Sequence, residues 1–153
     1  MTKKIILSLL VSSLFFLNCN SEKPAGAAAQ TTGGESVVKL NTELFKKQVF
    51  NYEKSKEWKY EGDKPAIIDF YADWCAPCRQ LSPIIEELAK EYDGKIVVYK
   101  VDTEAETELT RNLGISGLPT LLFIPSEGKP SVSMGLVPKE TLKKAINDIL
   151  KVN

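Results

Sequence analysis

The 153-residue sequence contains no histidine. That absence excludes Ser-His and Cys-His nucleophiles, His-ligated zinc and the haem attachment motif, for which Arg79 stands where histidine is required. Cysteine is nearly as scarce, with Cys19 alone and Cys75 and Cys78 as a close pair. Three cysteines so placed make neither a disulfide framework nor a zinc site, so no metal and no cofactor is expected. Net charge is missing too: 20 Lys+Arg balance 20 Asp+Glu, and nothing argues for nucleic acid as a partner. The apolar run Ile5–Leu17, interrupted only by serines, is 13 residues long. A membrane-spanning helix takes about 17–25.

What is present suits one globular domain with short appendages: 43% hydrophobic and 26% charged residues in a chain too short for a second core. A basic start at Lys3 and Lys4 followed by the apolar run has the form of a secretory signal, over residues 1–18. Its removal leaves 18 basic against 20 acidic residues, a weak excess that identifies no partner. Phe16-Leu17-Asn18-Cys19 resembles a bacterial lipoprotein signal, with Phe16 where Leu is usual and Asn18 where a small residue is usual. The expectation is lipid attachment at Cys19. The alternative is an ordinary cleaved signal with an incidental cysteine. Residues 19–36, rich in Ala, Gly, Thr and Ser, read as a flexible tether, with a typical reach of about 20–25 Å.

Residues 37–153 carry the folded pattern. Val37–Leu40 predicts a strand, and Asn41 or Thr42 caps a helix through Phe50. Ala66–Ala72 is an almost unbroken apolar run, as in a central strand covered on both faces. Leu81, Ile84, Ile85, Leu88, Ala89 and Tyr92 form one helical stripe, with Pro83 kinking the helix and Gly94 ending it. Ile96–Val101 predicts a strand, and Thr103 with Glu106 a capping box before a short helix. Pro119–Ile124 and Ser131–Gly135 predict a hairpin, and Leu142 to Leu150 a last amphipathic helix. The order βαβαβαββα is an α/β fold, a mixed central sheet flanked by helices on both faces.

Cys75-Ala76-Pro77-Cys78 lies where the central strand gives way to the long helix. A sulfur at a helix N-terminus meets free N–H groups and the positive end of the dipole, both of which favour thiolate. Cys78, three residues on, can close a disulfide and release a mixed disulfide formed by Cys75, and Pro77 suits the first turn. As a staple the bridge is poor, since so short a loop contributes only about 2 kcal/mol. Thiol–disulfide exchange is therefore the favoured chemistry. Cys75 at the exposed helix start is the expected attacker and Cys78 the shielded resolver.

The stretch from Ala66 to Arg79, with Pro83, Lys100-Val101-Asp102, Gly114 to Thr120 and Gly135, resembles the thioredoxin family from about Val37 to the end. The resemblance implies a thioredoxin fold and a protein-disulfide reductase acting on protein disulfides, with an unidentified thiol as electron donor. It makes Asp69 the buried acid serving Cys78. Burial of a carboxyl in a two-sided apolar strand supports this by raising its pKa. It places Lys100 near that acid, where the residue alone reads equally as a solvated strand-end charge. It makes Pro119 cis, although an X–Pro bond taken alone is cis only about 5–6% of the time. It also gives Leu118 backbone hydrogen bonds to an extended substrate, and puts Trp74, Pro77 and Gly135 along the substrate groove, core packing being the alternative for Trp74. Ala76-Pro77 departs from the Gly-Pro of many relatives, so the redox potential does not carry over. Asn51–Lys64 looks longer than usual, as either a groove extension or a surface loop. With the signal, the expected setting is the bacterial cell envelope or periplasm, on the membrane through the Cys19 lipid. Competing readings are an envelope disulfide oxidase or isomerase, and a non-catalytic binding or chaperone module.

Overall fold

Strand β2 (Ala66–Tyr71) is buried at five of its six positions, and the rest of the domain is arranged around it. The computed structural model describes residues 36–152. The predicted signal, Cys19 and nearly all of the tether lie outside the described residues. The first strand is β1 (Val37–Lys39), and helix α1 (Thr42–Gln48) joins it to β2. After β2 come α2 (Ala76–Glu91), β3 (Val97–Asp102), α3 (Thr107–Asn112), β4 (Thr120–Ile124) and β5 (Ser131–Met134). Helix α4 (Lys139–Ala145) follows and widens into a π-helical turn over Ile146–Leu150. The sheet order is β1-β3-β2-β4-β5. The first three strands are parallel, β4 runs antiparallel to β2, and β5 antiparallel to β4. This is the mixed sheet predicted from the apolar pattern.

Alternation along the strands sorts two cores. Ile67, Val98, Leu121 and Phe123 face one way and pack against Leu81, Ile85 and Leu88 of α2 and Leu142 and Ile146 near the C-terminus. Ile68, Phe70, Tyr99, Val101 and Leu122 face the other way, against Phe45 of α1 and Leu109 of α3. Lys139 and Lys143 of α4 pair with Glu87 and Glu91 of α2, closing the first layer at its rim. Among the described residues no helix is long and apolar enough to cross a membrane.

The Asn51–Lys64 segment precedes β2, so it lies at the end of the sheet opposite Cys75 and does not extend a groove there. Its aromatics turn inward: Trp58 packs on Phe50 with centroids 4.8 Å apart, and Tyr52 lies beside Phe45. Backbone and side-chain bonds pin it, with Glu61 N–H donating to Val49 and the Tyr60 hydroxyl to the Lys64 carbonyl. The surface-loop alternative describes it.

The predicted Thr103/Glu106 capping box does not form. Glu106 is the N-cap of α3 but makes no side-chain capping bond. Its carboxylate instead accepts from the Thr42 backbone N–H (2.9 Å) and hydroxyl (2.5 Å), 64 residues away in sequence. The Thr103 hydroxyl donates to the Tyr71 carbonyl. The turn before α3 is closed by Asp102, whose carboxylate accepts from the N–H groups of Glu104 and Ala105. A long-range donor pair at the start of α1, with its free N–H groups, outcompetes the local box. Replacing Glu106 with Ala should therefore loosen α1 as well as α3, costing about 1–2 kcal/mol. Urea unfolding checks the cost, and hydrogen exchange at Thr42–Phe45 checks the location. Exchange changes confined to α3 would contradict the bridge.

Candidate active site

Cys75 is the N-cap of α2, in extended conformation (φ −75°, ψ 103°). Its Sγ accepts from the Cys78 backbone N–H at 3.2 Å, the bond an N-cap side chain makes to a free donor of the first turn. Pro77 occupies that turn, where its missing N–H costs nothing. Cys75 and Cys78 are joined in a disulfide with Cα atoms 5.2 Å apart. Both residues are only 3% exposed, so in the oxidised state Cys75 is as covered as Cys78, contrary to the expected exposed helix start. Ala72, Tyr71 and Leu118 make the cover.

The two sulfurs differ in what lies behind them. A cleft of about 130 Å³ opens between α2 and the sheet, and Cys78 lines it together with Asp69, Tyr71, Lys100 and Ser82. Asp69 stands in the middle of β2, directly opposite Lys100 of β3 in the strand register, and is 3% exposed. Burial pushes its carboxyl up from the usual 3.8 to about 6, with the Lys100 charge pulling the other way. One of its oxygens, Oδ1, is buried with no hydrogen-bond partner in the protein. Lys100 is thus not a detached strand-end charge. Its ammonium lies 4.4 Å from the centroid of the Tyr71 ring, a cation–π contact that holds it at the edge of the cleft. The sequence reading missed Tyr71 in this role, although it lies two residues after Asp69 and hence on the same sheet face.

On the other side of the disulfide the chain makes a shallow rim. Leu118–Pro119 is cis, and the Pro119 carbonyl accepts from Gly135 N–H at 2.8 Å. The Thr120 hydroxyl donates to the Gly117 carbonyl, closing the turn. Gly135 has φ +88°, a left-handed conformation that suits glycine. Trp74 is 68% exposed, which excludes core packing. The backbone before it is tied to α2 by Arg79 Nη1 donating to the Asp73 carbonyl. Met134, which the sequence reading did not single out, is largely exposed, with its sulfur beside Gly117. Its position just before Gly135 on an alternating strand is the signal that could have found it. The structure therefore gathers Cys75, Cys78, Asp69 and Lys100 on one side and Leu118, Pro119 and Gly135 on the other, with Trp74 and Pro77 beside the cysteines. Among the described residues no cluster could hold a metal.

The thioredoxin family profile matches residues 36–148. The chain belongs to the thioredoxin family. A thioredoxin of Borreliella burgdorferi is 49% identical over 111 residues, covering 72% of this chain and 95% of that one. A chloroplastic M-type thioredoxin of Spinacia oleracea is 40% identical over 116 residues, covering 75% of this chain and 64% of that one. Among solved structures, chloroplastic thioredoxin z superposes with a TM-score of 0.64 at 28% identity, covering 76% of this chain and 96% of that one. The protein is accordingly a disulfide oxidoreductase with the protein-disulfide reductase activity of its family.

The Asp69 carboxyl carries a pH signature. The folded state holds its proton to about pH 6, whereas the unfolded chain releases it near 3.8. Unfolding therefore releases a proton in that window, and stability falls as pH rises through it, levelling above about 6. The difference amounts to roughly 3 kcal/mol. Asp69→Asn, which has no such titration, should gain on the wild type by about that much between pH 4 and pH 7. Urea unfolding of the oxidised proteins at a series of pH values measures it, and a difference independent of pH would show an ordinary solvated carboxylate.

Proposed function

We propose that this thioredoxin reduces protein disulfides in the bacterial cell envelope through its Cys-Ala-Pro-Cys dithiol, held to the membrane by a lipid on Cys19. The observation that supports the chemistry best is the unequal setting of the two sulfurs. Cys75 Sγ takes a helix N-terminal N–H, whereas Cys78 shares a cleft with a buried carboxyl. The first setting stabilises negative charge, and the second supplies a proton acceptor.

In the reducing direction the Cys75 thiolate attacks one sulfur of the substrate disulfide and expels the other as thiolate, leaving a mixed disulfide. Asp69 takes the Cys78 proton, and the Cys78 thiolate then attacks Cys75 Sγ. The Cys75–Cys78 bond forms, the bond to substrate breaks, and the substrate's second sulfur leaves as thiolate and takes a proton from solvent. Two electrons pass from the dithiol to the substrate, and an external thiol donor returns them. Leu118 offers its backbone to an extended substrate segment, with Trp74, Pro77, Pro119 and Gly135 as the surrounding surface.

Location and anchoring rest on sequence. A basic start, an apolar run too short to span a bilayer, Cys19 and a Gly/Ala/Ser-rich stretch stand in the order an anchored exported domain needs. Metabolic labelling of the full chain with a fatty acid should tag the wild type and not Cys19→Ser. Equal labelling of both, or of neither, would remove the lipid anchor.

The roles of the cysteines have their own test. Cys78→Ser keeps the attacker and removes the resolver, so it should accumulate covalent complexes with envelope proteins, seen as high-mass bands on a non-reducing gel and lost on reduction. Cys75→Ser should accumulate almost none. Equal trapping by both variants would reverse or abolish the assignment. Trapping by neither, with both variants folded and exported, would favour the non-catalytic module.

A further inference from the structure

Helix α2 contributes two residues to the cleft behind the disulfide that stand four apart, Cys78 and Ser82. Residues spaced i and i+4 share a helix face, so the Ser82 hydroxyl lies one turn beyond the resolving sulfur on the side that faces the sheet. The same cleft holds Asp69, whose buried Oδ1 has no hydrogen-bond partner in the protein. A buried carboxyl oxygen left so is costly, and a cleft of about 130 Å³ with Ser82, Arg79 and Lys100 in its lining has room and polar partners for a water beside it.

We propose that Ser82 is a positioning residue for the proton transfer between Cys78 and Asp69: through one bridging water its hydroxyl donates to Asp69 Oδ1 and holds the ionised carboxylate ready to accept the Cys78 proton. The inference rests on the roles proposed above for Cys78 and Asp69. Other groups face Asp69 as well. Lys100 comes from β3 opposite it, Tyr71 from its own strand, Asp73 from the following loop, and Cys78 and Arg79 from α2. β4 sets Leu121 opposite it and carries no titratable residue. Lys100 already favours the carboxylate but is drawn towards the Tyr71 ring. Ser82 is the neutral hydroxyl of α2 that can fix a water on the Cys78 side. Hydrogen bonding to a carboxylate favours its charged form, so removing the donor should make Asp69 ionise later.

The test is the pH dependence of mixed-disulfide release, followed by rapid mixing with a peptide disulfide, together with carboxyl-carbon NMR titration of Asp69 in the oxidised protein. Ser82→Ala keeps helix propensity and removes only the hydroxyl. Both the rate profile and the carboxyl titration should move to higher pH by about one pH unit. Ser82→Thr restores a hydroxyl and should restore both to wild-type positions. Asp69→Asn should abolish the profile, and adding Ser82→Ala to it should change nothing more. If Ser82→Ala matches the wild type while Asp69→Asn still abolishes the profile, the role of Ser82 is overturned and that of Asp69 stands. A profile that Asp69→Asn leaves unchanged overturns the proton-acceptor assignment and this role with it. Equal shifts in Ser82→Ala and Ser82→Thr would mark a packing effect and also overturn the proposal.

Discussion

A carboxyl group fixed in the middle of a strand buried on both faces is the constraint around which this site is organised. Asp69 interrupts the apolar row that Ile67 begins on the α2 side of the sheet. A charge there has no apolar neighbour that can satisfy it. Three features accompany it: a lysine directly opposite in the β3 register, an aromatic ring that holds the lysine back from full contact, and a gap in the packing of α2 against the sheet. Without the gap the carboxyl and Cys78 would not share an open cleft. Without the lysine its burial would push it further still towards the neutral form. The strand that brings the carboxyl also ends at the loop that delivers Cys75 to the helix start, so one run of sequence sets the sulfur and the buried carboxyl together.

Elements whose cause is local were legible in the sequence. The central strand, the stripe of α2 and the hairpin follow from apolar spacing and turn residues, and Cys75 as helix start follows from its place after the strand. Asp69 was legible through the resemblance, with its place in a two-sided apolar run as physical support. The cis bond before Pro119 was legible only through resemblance, since the local chain prefers trans.

Features decided by partners distant in sequence were not legible. Glu106 stands where a capping-box acid would stand, and only the folded chain brings the hydroxyl and N–H of Thr42 within its reach. From the residues alone, without the resemblance, Lys100 could be paired with Asp69 only once the register of β2 against β3 was known. The Asn51–Lys64 segment had two readings because composition does not say which end of the sheet a loop occupies; the direction of β2 does. By contrast, the continuation of α2 past Pro83 to Glu91 was legible in its apolar stripe, whose packing against the sheet outweighs the loss of one helical hydrogen bond.

The equal burial of the two cysteines in the disulfide has a consequence for selectivity. Exposure does not distinguish the sulfurs in the oxidised protein, so any thiol that reduces it has to reach a bond covered by Ala72, Tyr71 and Leu118. A small free thiol gains little from such a site, because it makes few contacts to offset the awkward approach. Trp74, next to Cys75 in the chain, and Met134, next to Gly135, leave large apolar side chains exposed, and a protein thiol that gained contacts there would be held beside the disulfide. The two sulfurs then differ in what receives each as a leaving group. Between two sulfurs of equal access, the one that leaves more readily is the one better stabilised as thiolate. Cys75, accepting the N–H of Cys78, is that leaving group when the attack falls on Cys78. When the attack falls on Cys75, Cys78 leaves beside a carboxyl that can return its proton. The N-terminal donor and the buried acid therefore act on different sulfurs of one bond.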